Sequence, residues 1–243
     1  MKWRFCILIL SFCLMSYAQT TIYFFPGQGS DKRIFDSLKI DGGYNKLFVE
    51  YPFPKRGTSL RQFAKEISAK IDTSKPFILI GVSLGGMLCC EMNEYLSPQK
   101  VIIISSAKNR KELPLRYRFQ RYIPLYAILP PAILKWGAKV MQPIVEPDRN
   151  KNKTIFKAML NNKKPKYIKR SIRMIVNWKM TSNSKKVYHI HGTKDHTLPY
   201  RKIKNIDHAI KEGSHMMTLT RPAEISDLLN KILKQGSATT GPR

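Results

Sequence analysis

The residues best placed to do chemistry are Gly81-Val82-Ser83-Leu84-Gly85-Gly86. They make a G-x-S-x-G pattern where an apolar run at 76–82 gives way to a helical one. A sharp strand-to-helix turn holds such a serine in a strained backbone, and only glycine at the flanking positions lets neighbouring backbone come close. The Ser83 hydroxyl would then stand above a sheet edge as a nucleophile. The Leu84 N–H, at the helix start, would face the place where an oxyanion forms. The competing reading makes Ser83 an N-cap in a glycine-rich turn. Other site chemistries find little support. PGQGS at 26–30 lacks the Lys-Ser/Thr of a phosphate-binding loop, and the glycines at 81–86 do not make G-x-G-x-x-G. No Cys/His cluster has metal-ligand spacing. No cofactor or metal is therefore expected.

These residues need a frame, and the chain alternates strand and helix patterns on either side of one break. Strands are expected at 20–25, 46–51, 76–82, 101–105 and 187–191, with a weaker one near 206–211. Helical patterns fall at 32–38, 59–71, 84 to about 96 and 222–234. The runs FILIGV and VIIIS are almost wholly apolar, as strands covered on both faces must be. Such alternation implies a mostly parallel sheet with helices on both sides. From 107 to 180 prolines, aromatics and helical stretches replace the strands. That segment reads as an insertion between two halves of one sheet.

The chain has 243 residues, 43% of them hydrophobic, which suits one domain carrying an insertion and excludes wholesale disorder. Four cysteines cannot build a disulfide scaffold. Met1-Lys2-Trp3-Arg4 followed by the apolar run 5–15 and Ser16-Tyr17-Ala18 reads as a secretory signal peptide over 1–18. Cleavage after Ala18 would start an exported, periplasmic or secreted, chain at Gln19. An uncleaved anchor is the alternative, and lipid attachment at Cys13 is disfavoured by the bulk of Phe12. After cleavage only Cys89 and Cys90 remain, read as small buried hydrophobes that do not bond to each other. The remainder divides into core halves at 19–106 and 181–235, the insertion at 107–180, and a flexible tail at 236–243.

With the elbow and the alternation in hand, the chain resembles the α/β-hydrolase superfamily over nearly all of its expected mature length. The resemblance implies a nucleophile, acid and histidine in the order Ser, Asp, His. In HGTKDHTLP at 191–199, Asp195 lies just past a strand, in a turn bounded by Gly192 and Pro199. In EGSHMM at 212–217, His215 falls in the loop before the last helix. The resemblance thus assigns Ser83, Asp195 and His215 as the catalytic residues. His215 would take the serine proton, and Asp195 would fix its tautomer. His208 and Asp207 are the weaker rivals, while His189 and His191 precede the acid and suit packing or turn roles. The superfamily's second oxyanion donor maps onto the loop Phe25-Pro26-Gly27-Gln28-Gly29-Ser30, with proline where histidine is usual. Gln28 N–H is the expected donor.

Net charge is +27, from 43 Lys+Arg and 16 Asp+Glu. The segment 107–180 holds 19 Lys+Arg and 3 Asp+Glu, so it supplies 19 − 3 = +16, together with eight aromatics. In the superfamily this is where a helical lid sits. A solvated outer face explains the charge most simply; the alternatives are docking to an anionic membrane surface or attraction of an anionic substrate. No nucleic-acid motif is present and no protein partner is implied. The resulting expectation is a serine hydrolase working through an acyl-enzyme on a small-molecule acyl substrate, most simply a carboxylic ester. Thioesters, lactones, amides and activated carbon–carbon bonds suit the same constellation. The rival expectation is a non-catalytic protein that keeps the fold and binds a ligand.

Overall fold

The computed structural model describes residues 19–145 and 153–235. The signal segment expected at 1–18 and the tail expected at 236–243 lie outside the described residues. Six strands form one sheet: β1 (Thr21–Phe25), β2 (Asn45–Phe48), β3 (Phe77–Val82), β4 (Lys100–Ile104), β5 (Tyr188–Gly192) and β6 (His208–Ile210). Their order is β2-β1-β3-β4-β5-β6, and each neighbouring pair is parallel. The nearly unbroken apolar runs have a direct cause. Successive side chains point to opposite faces, and both faces are covered. Tyr23, Phe25, Leu79 and Ile103 enter one core, whereas Ile22, Phe24, Ile80 and Ile102 enter the other.

Helix α1 (Leu60–Ser68) covers the first face with Leu60, Phe63, Ala64 and Ile67. Its start is fixed by a capping box: Gln62 N–H donates to Ser59 Oγ at 3.2 Å, and Ser59 N–H to Gln62 Oε1 at 2.9 Å. Helix α2 (Leu84–Asn93) is buried along its whole length. Among the described residues five α-helices lie between β4 and β5: α3 (Leu115–Phe119), α4 (Leu125–Ile128), α5 (Pro131–Val145), α6 (Lys153–Asn161) and α7 (Pro165–Val176). The short α8 (Met217–Thr220) leads into α9 (Pro222–Lys234), which covers the second face with Ile225, Leu229, Ile232 and Leu233.

The expected elements are present with local differences. β2 ends at Phe48 rather than residue 51, and all four of its residues are exposed. It is the sheet edge, paired only with β1, and the chain beyond Tyr51 meets Pro52 and Pro54, which have no N–H to continue a ladder. The helix expected at 32–38 is one 3₁₀ turn, Lys32–Phe35, capped by Asp31. α2 stops at Asn93 instead of near 96, its last carbonyls tightening onto the N–H groups of Glu94 and Tyr95. Cys89 and Cys90 are unbonded and buried in the first core.

Candidate active site

Strand β3 delivers Ser83 to the carboxyl edge of the sheet, and α2 leaves at once. Ser83 sits at φ 52°, ψ −118°, a left-handed backbone unusual for a residue with a side chain. The neighbouring glycines permit it. A Cβ on Gly81 would lie 2.5 Å from the backbone of Gly85 and Gly86, and one on Gly85 would overlap the Phe25 carbonyl. Ser106, just past β4, donates its hydroxyl to the Ser83 carbonyl at 2.6 Å and holds the elbow from below. Ser83 makes no side-chain cap to α2, so its hydroxyl is not spent on the helix.

That hydroxyl faces the histidine 132 positions away. His215 Nε2 is 3.0 Å from Ser83 Oγ, and His215 Nδ1 is 2.7 Å from Asp195 Oδ2. The turn after β5 brings Asp195 there, and Leu198 N–H fixes its Oδ1 at 2.8 Å. Asp195 is 2% exposed. Burial pushes its carboxyl up, but the charge and hydrogen bond of His215, with His191 and the Leu198 N–H, together outweigh that and hold it below the ordinary carboxylate value. The three residues expected from sequence therefore form one hydrogen-bonded line. The weaker rivals lie elsewhere. Asp207 Oδ2 accepts the His189 N–H at 2.8 Å, and His208 opens strand β6.

The two expected oxyanion donors lie at the elbow and in the loop after β1. Leu84 is the first residue of α2, where an N–H has no partner within its own helix. Gly27 packs so closely on Ser83 that a Cβ there would lie 3.3 Å from the serine Cβ. Gln28, the next residue, lines the cavity shared with Ser83 and His215. The Gln28 side chain has a part that the sequence did not reveal. Its Nε2 donates to Ser171 Oγ at 2.8 Å and to the Ile168 carbonyl at 3.2 Å, tying the loop to α7.

The sequence matches no protein-family model and no curated protein. Solved structures match along most of the chain. Est816, described as an N-acyl homoserine lactone degrading enzyme, is 17% identical, with 88% of this chain and 94% of that one covered at TM-score 0.61. Polyneuridine aldehyde esterase is 18% identical, covering 88% and 99% at 0.60. The N-acyl homoserine lactonase AidH, solved with N-hexanoyl homoserine, is 12% identical, covering 93% and 92% at 0.64. The chain has the α/β-hydrolase fold.

On this α/β-hydrolase frame the helices between β4 and β5 wall a cavity of about 430 Å³ that opens beside Ser83 and His215. Leu134, Met141, Phe156, Leu160 and Ile172 give it an apolar wall. Arg116 on α3 crosses back to the core, donating to the carbonyls of His196 at 3.0 Å and Thr197 at 2.5 Å. Among the described residues no group of three or more His, Cys, Asp or Glu side chains is arranged to hold a metal ion.

The sequence reading also passed over a polar line behind Asp195. His189 and His191 are fully buried, with His189 Nε2 3.1 Å from His191 Nδ1. His191 Nε2 lies 2.9 Å from the Leu198 carbonyl and 3.4 Å from Asp195 Oδ2. Lys108 Nζ lies 3.2 Å from His189 Nδ1 and 3.2 Å from Glu112 Oε1. The available signal was the i, i+2 spacing of the two histidines, which puts both on one face of β5.

Proposed function

We propose that this protein is a serine hydrolase that cleaves a carboxylic ester or related acyl bond through an acyl-enzyme. Support comes from one observation: the imidazole of His215 bridges Ser83 Oγ and Asp195 Oδ2 at 3.0 and 2.7 Å beside an apolar cavity. Ser83 Oγ attacks the carbonyl carbon while its proton passes to His215 Nε2. The N–H groups of Leu84 and Gln28 hold the oxyanion. His215 returns the proton to the leaving group, and the acyl group remains on Ser83. Water, deprotonated by the same nitrogen, then releases the acid. α3–α7 act as a lid whose apolar inner wall takes the hydrocarbon part of the substrate. The structural relatives described as esterases and lactonases are compatible with this substrate class.

The test is a short-chain p-nitrophenyl ester assay on the mature protein, with fluorophosphonate labelling alongside. A burst of nitrophenol and a labelled Ser83, both lost in Ser83→Ala, are expected. Folded wild-type protein that neither bursts nor labels overturns the reading. Export follows from 1–18: the purified exported chain should begin at Gln19 by N-terminal sequencing, and a retained Met1 would overturn cleavage.

The outer face of the lid docks on an anionic bilayer. Of the fifteen large hydrophobic side chains exposed among the described residues, ten fall within 115–140, leaving aside Met141 on the cavity wall. Tyr122 at 76% and Ile128 at 79% exposure are the extremes, interleaved with exposed Arg118, Arg121 and Lys139. Apolar area flanked by cations is what an interfacial helix presents to acidic lipid. Sedimentation with phosphatidylglycerol vesicles should capture the protein at low salt and release it near 0.5 M. Absence of binding, or equal binding to phosphatidylcholine, overturns this docking.

A further inference from the structure

We infer that His191, backed by His189 and Lys108, is a positioning residue for Asp195: a buried, one-way chain of hydrogen bonds that ends on the Leu198 carbonyl and, through Leu198, holds the carboxylate toward His215. The inference rests on the triad reading proposed above. Its direction follows from elementary donor rules. The Leu198 carbonyl, 2.9 Å from His191 Nε2, can only accept, so that nitrogen carries the proton. The same nitrogen is 3.4 Å from Asp195 Oδ2, a close approach without a hydrogen bond. A neutral imidazole protonated at Nε2 keeps its lone pair on Nδ1. His191 Nδ1 therefore accepts from His189 Nε2 at 3.1 Å. His189 Nδ1 in turn accepts from Lys108 Nζ at 3.2 Å. Both imidazoles are neutral because burial drives them below the ordinary histidine value, His189 furthest. Every link points the same way, from the Lys108 end to the Leu198 carbonyl.

The far end is anchored and the near end is shared. Lys108 Nζ also donates to the carbonyls of Lys204 and Asn205 and faces the buried Glu112 at 3.2 Å. At the near end Leu198 touches both partners, its N–H on Asp195 Oδ1 and its carbonyl on His191 Nε2. A shift of the His191 ring therefore displaces the backbone that fixes the carboxylate. Water cannot take over the role of His191, because the ring is sealed from solvent. The ionisable groups around the two rings are Lys108 and Glu112 behind them, Asp207 at the His189 backbone, and Asp195 and His215 in front.

The test compares His191→Leu, which removes the donor, with His191→Gln, whose amide nitrogen can donate from near the same place. Turnover is counted per fluorophosphonate-reactive site, so that misfolded protein is excluded. His191→Leu should lower kcat by about 10- to 100-fold with KM within twofold, since the residue does not touch substrate. The acid limb of kcat/KM should move up by about half a pH unit, because a displaced Leu198 N–H holds Asp195 Oδ1 less well and the more basic carboxylate pulls harder on the His215 proton. His191→Gln should recover most of both. Unchanged kcat and limb per active site in His191→Leu overturn the inference. If the leucine variant does not fold, ¹H–¹⁵N correlation of the wild-type imidazoles decides: Nε2–H is expected on both rings, and Nδ1–H on either overturns the chain. A wild type that neither labels nor turns over overturns the triad reading, and this inference with it. Wrong tautomers in an active enzyme overturn the inference alone.

Discussion

Asp195 lies at the meeting point of two opposed effects. Burial favours its neutral form, and the neighbouring imidazole favours the charged one and prevails. On the proposed mechanism, its value lies in the tautomer it imposes on His215. Asp195→Asn keeps the shape and loses the charge, so ester turnover per active site at pH 7–8 should fall by about 10⁴-fold. A loss smaller than tenfold would mean that Asp195 does not orient His215. A backbone counterpart exists at Gly85, where any side chain would enter the space of the Phe25 carbonyl. Gly85→Ala must push β1 and α2 apart, and urea unfolding should show a loss of about 3 kcal/mol or more. Near-wild-type stability with full activity would disprove the crowding argument.

At the scale of elements, what the sequence made legible was periodicity, and what it hid was pairing over distance. β3 and β4 were readable because both faces are covered and, apart from Lys100 at the start of β4, no position is polar. The elbow was readable because its glycines fall at a fixed short spacing around the serine, although Gly85 answers to the Phe25 carbonyl 60 positions away. β2 was read too long because an exposed edge places little demand on composition. The Gln28–Ser171 bond joins residues 143 apart, and nothing local distinguishes either partner. The same applies to Trp178, just past α7, whose indole N–H donates to the buried Glu91 of α2 at 2.8 Å. Burial raises the Glu91 carboxyl above its ordinary value. Trp178→Phe keeps the ring and removes the donor, so α2 loses a buried pairing. Urea denaturation should report about 1–3 kcal/mol of destabilisation, and a change under about 0.5 kcal/mol would show the bond to be incidental.

The whole molecule carries +27 and holds two neutral, sealed imidazoles, His189 and His191, so acid acts against it twice. In the unfolded chain both rings gain protons below about pH 6.5, whereas in the folded chain burial keeps them neutral to lower pH. The unfolded state then binds more protons, and stability falls as pH drops below about 6.5. The loss is about 1.4 kcal/mol per pH unit for His189 until its folded value is reached. Asp195, depressed in the fold, adds a loss of the same sign below about pH 4. Thermal melts should show Tm falling between pH 7 and 5. A His189→Phe variant should show a shallower slope, and an unchanged slope would remove His189 as the cause.

The Gln28–Ser171 and Arg116–Thr197 bonds each join a core loop to an intervening helix. Exchanging 107–180 for the equivalent segment of another enzyme would therefore cut both moorings at once. Such a chimera could keep a sound sheet and still work poorly until Ser171 and Arg116 were transplanted with it. Recombination between relatives, natural or in the laboratory, would have to carry those two side chains across as cargo.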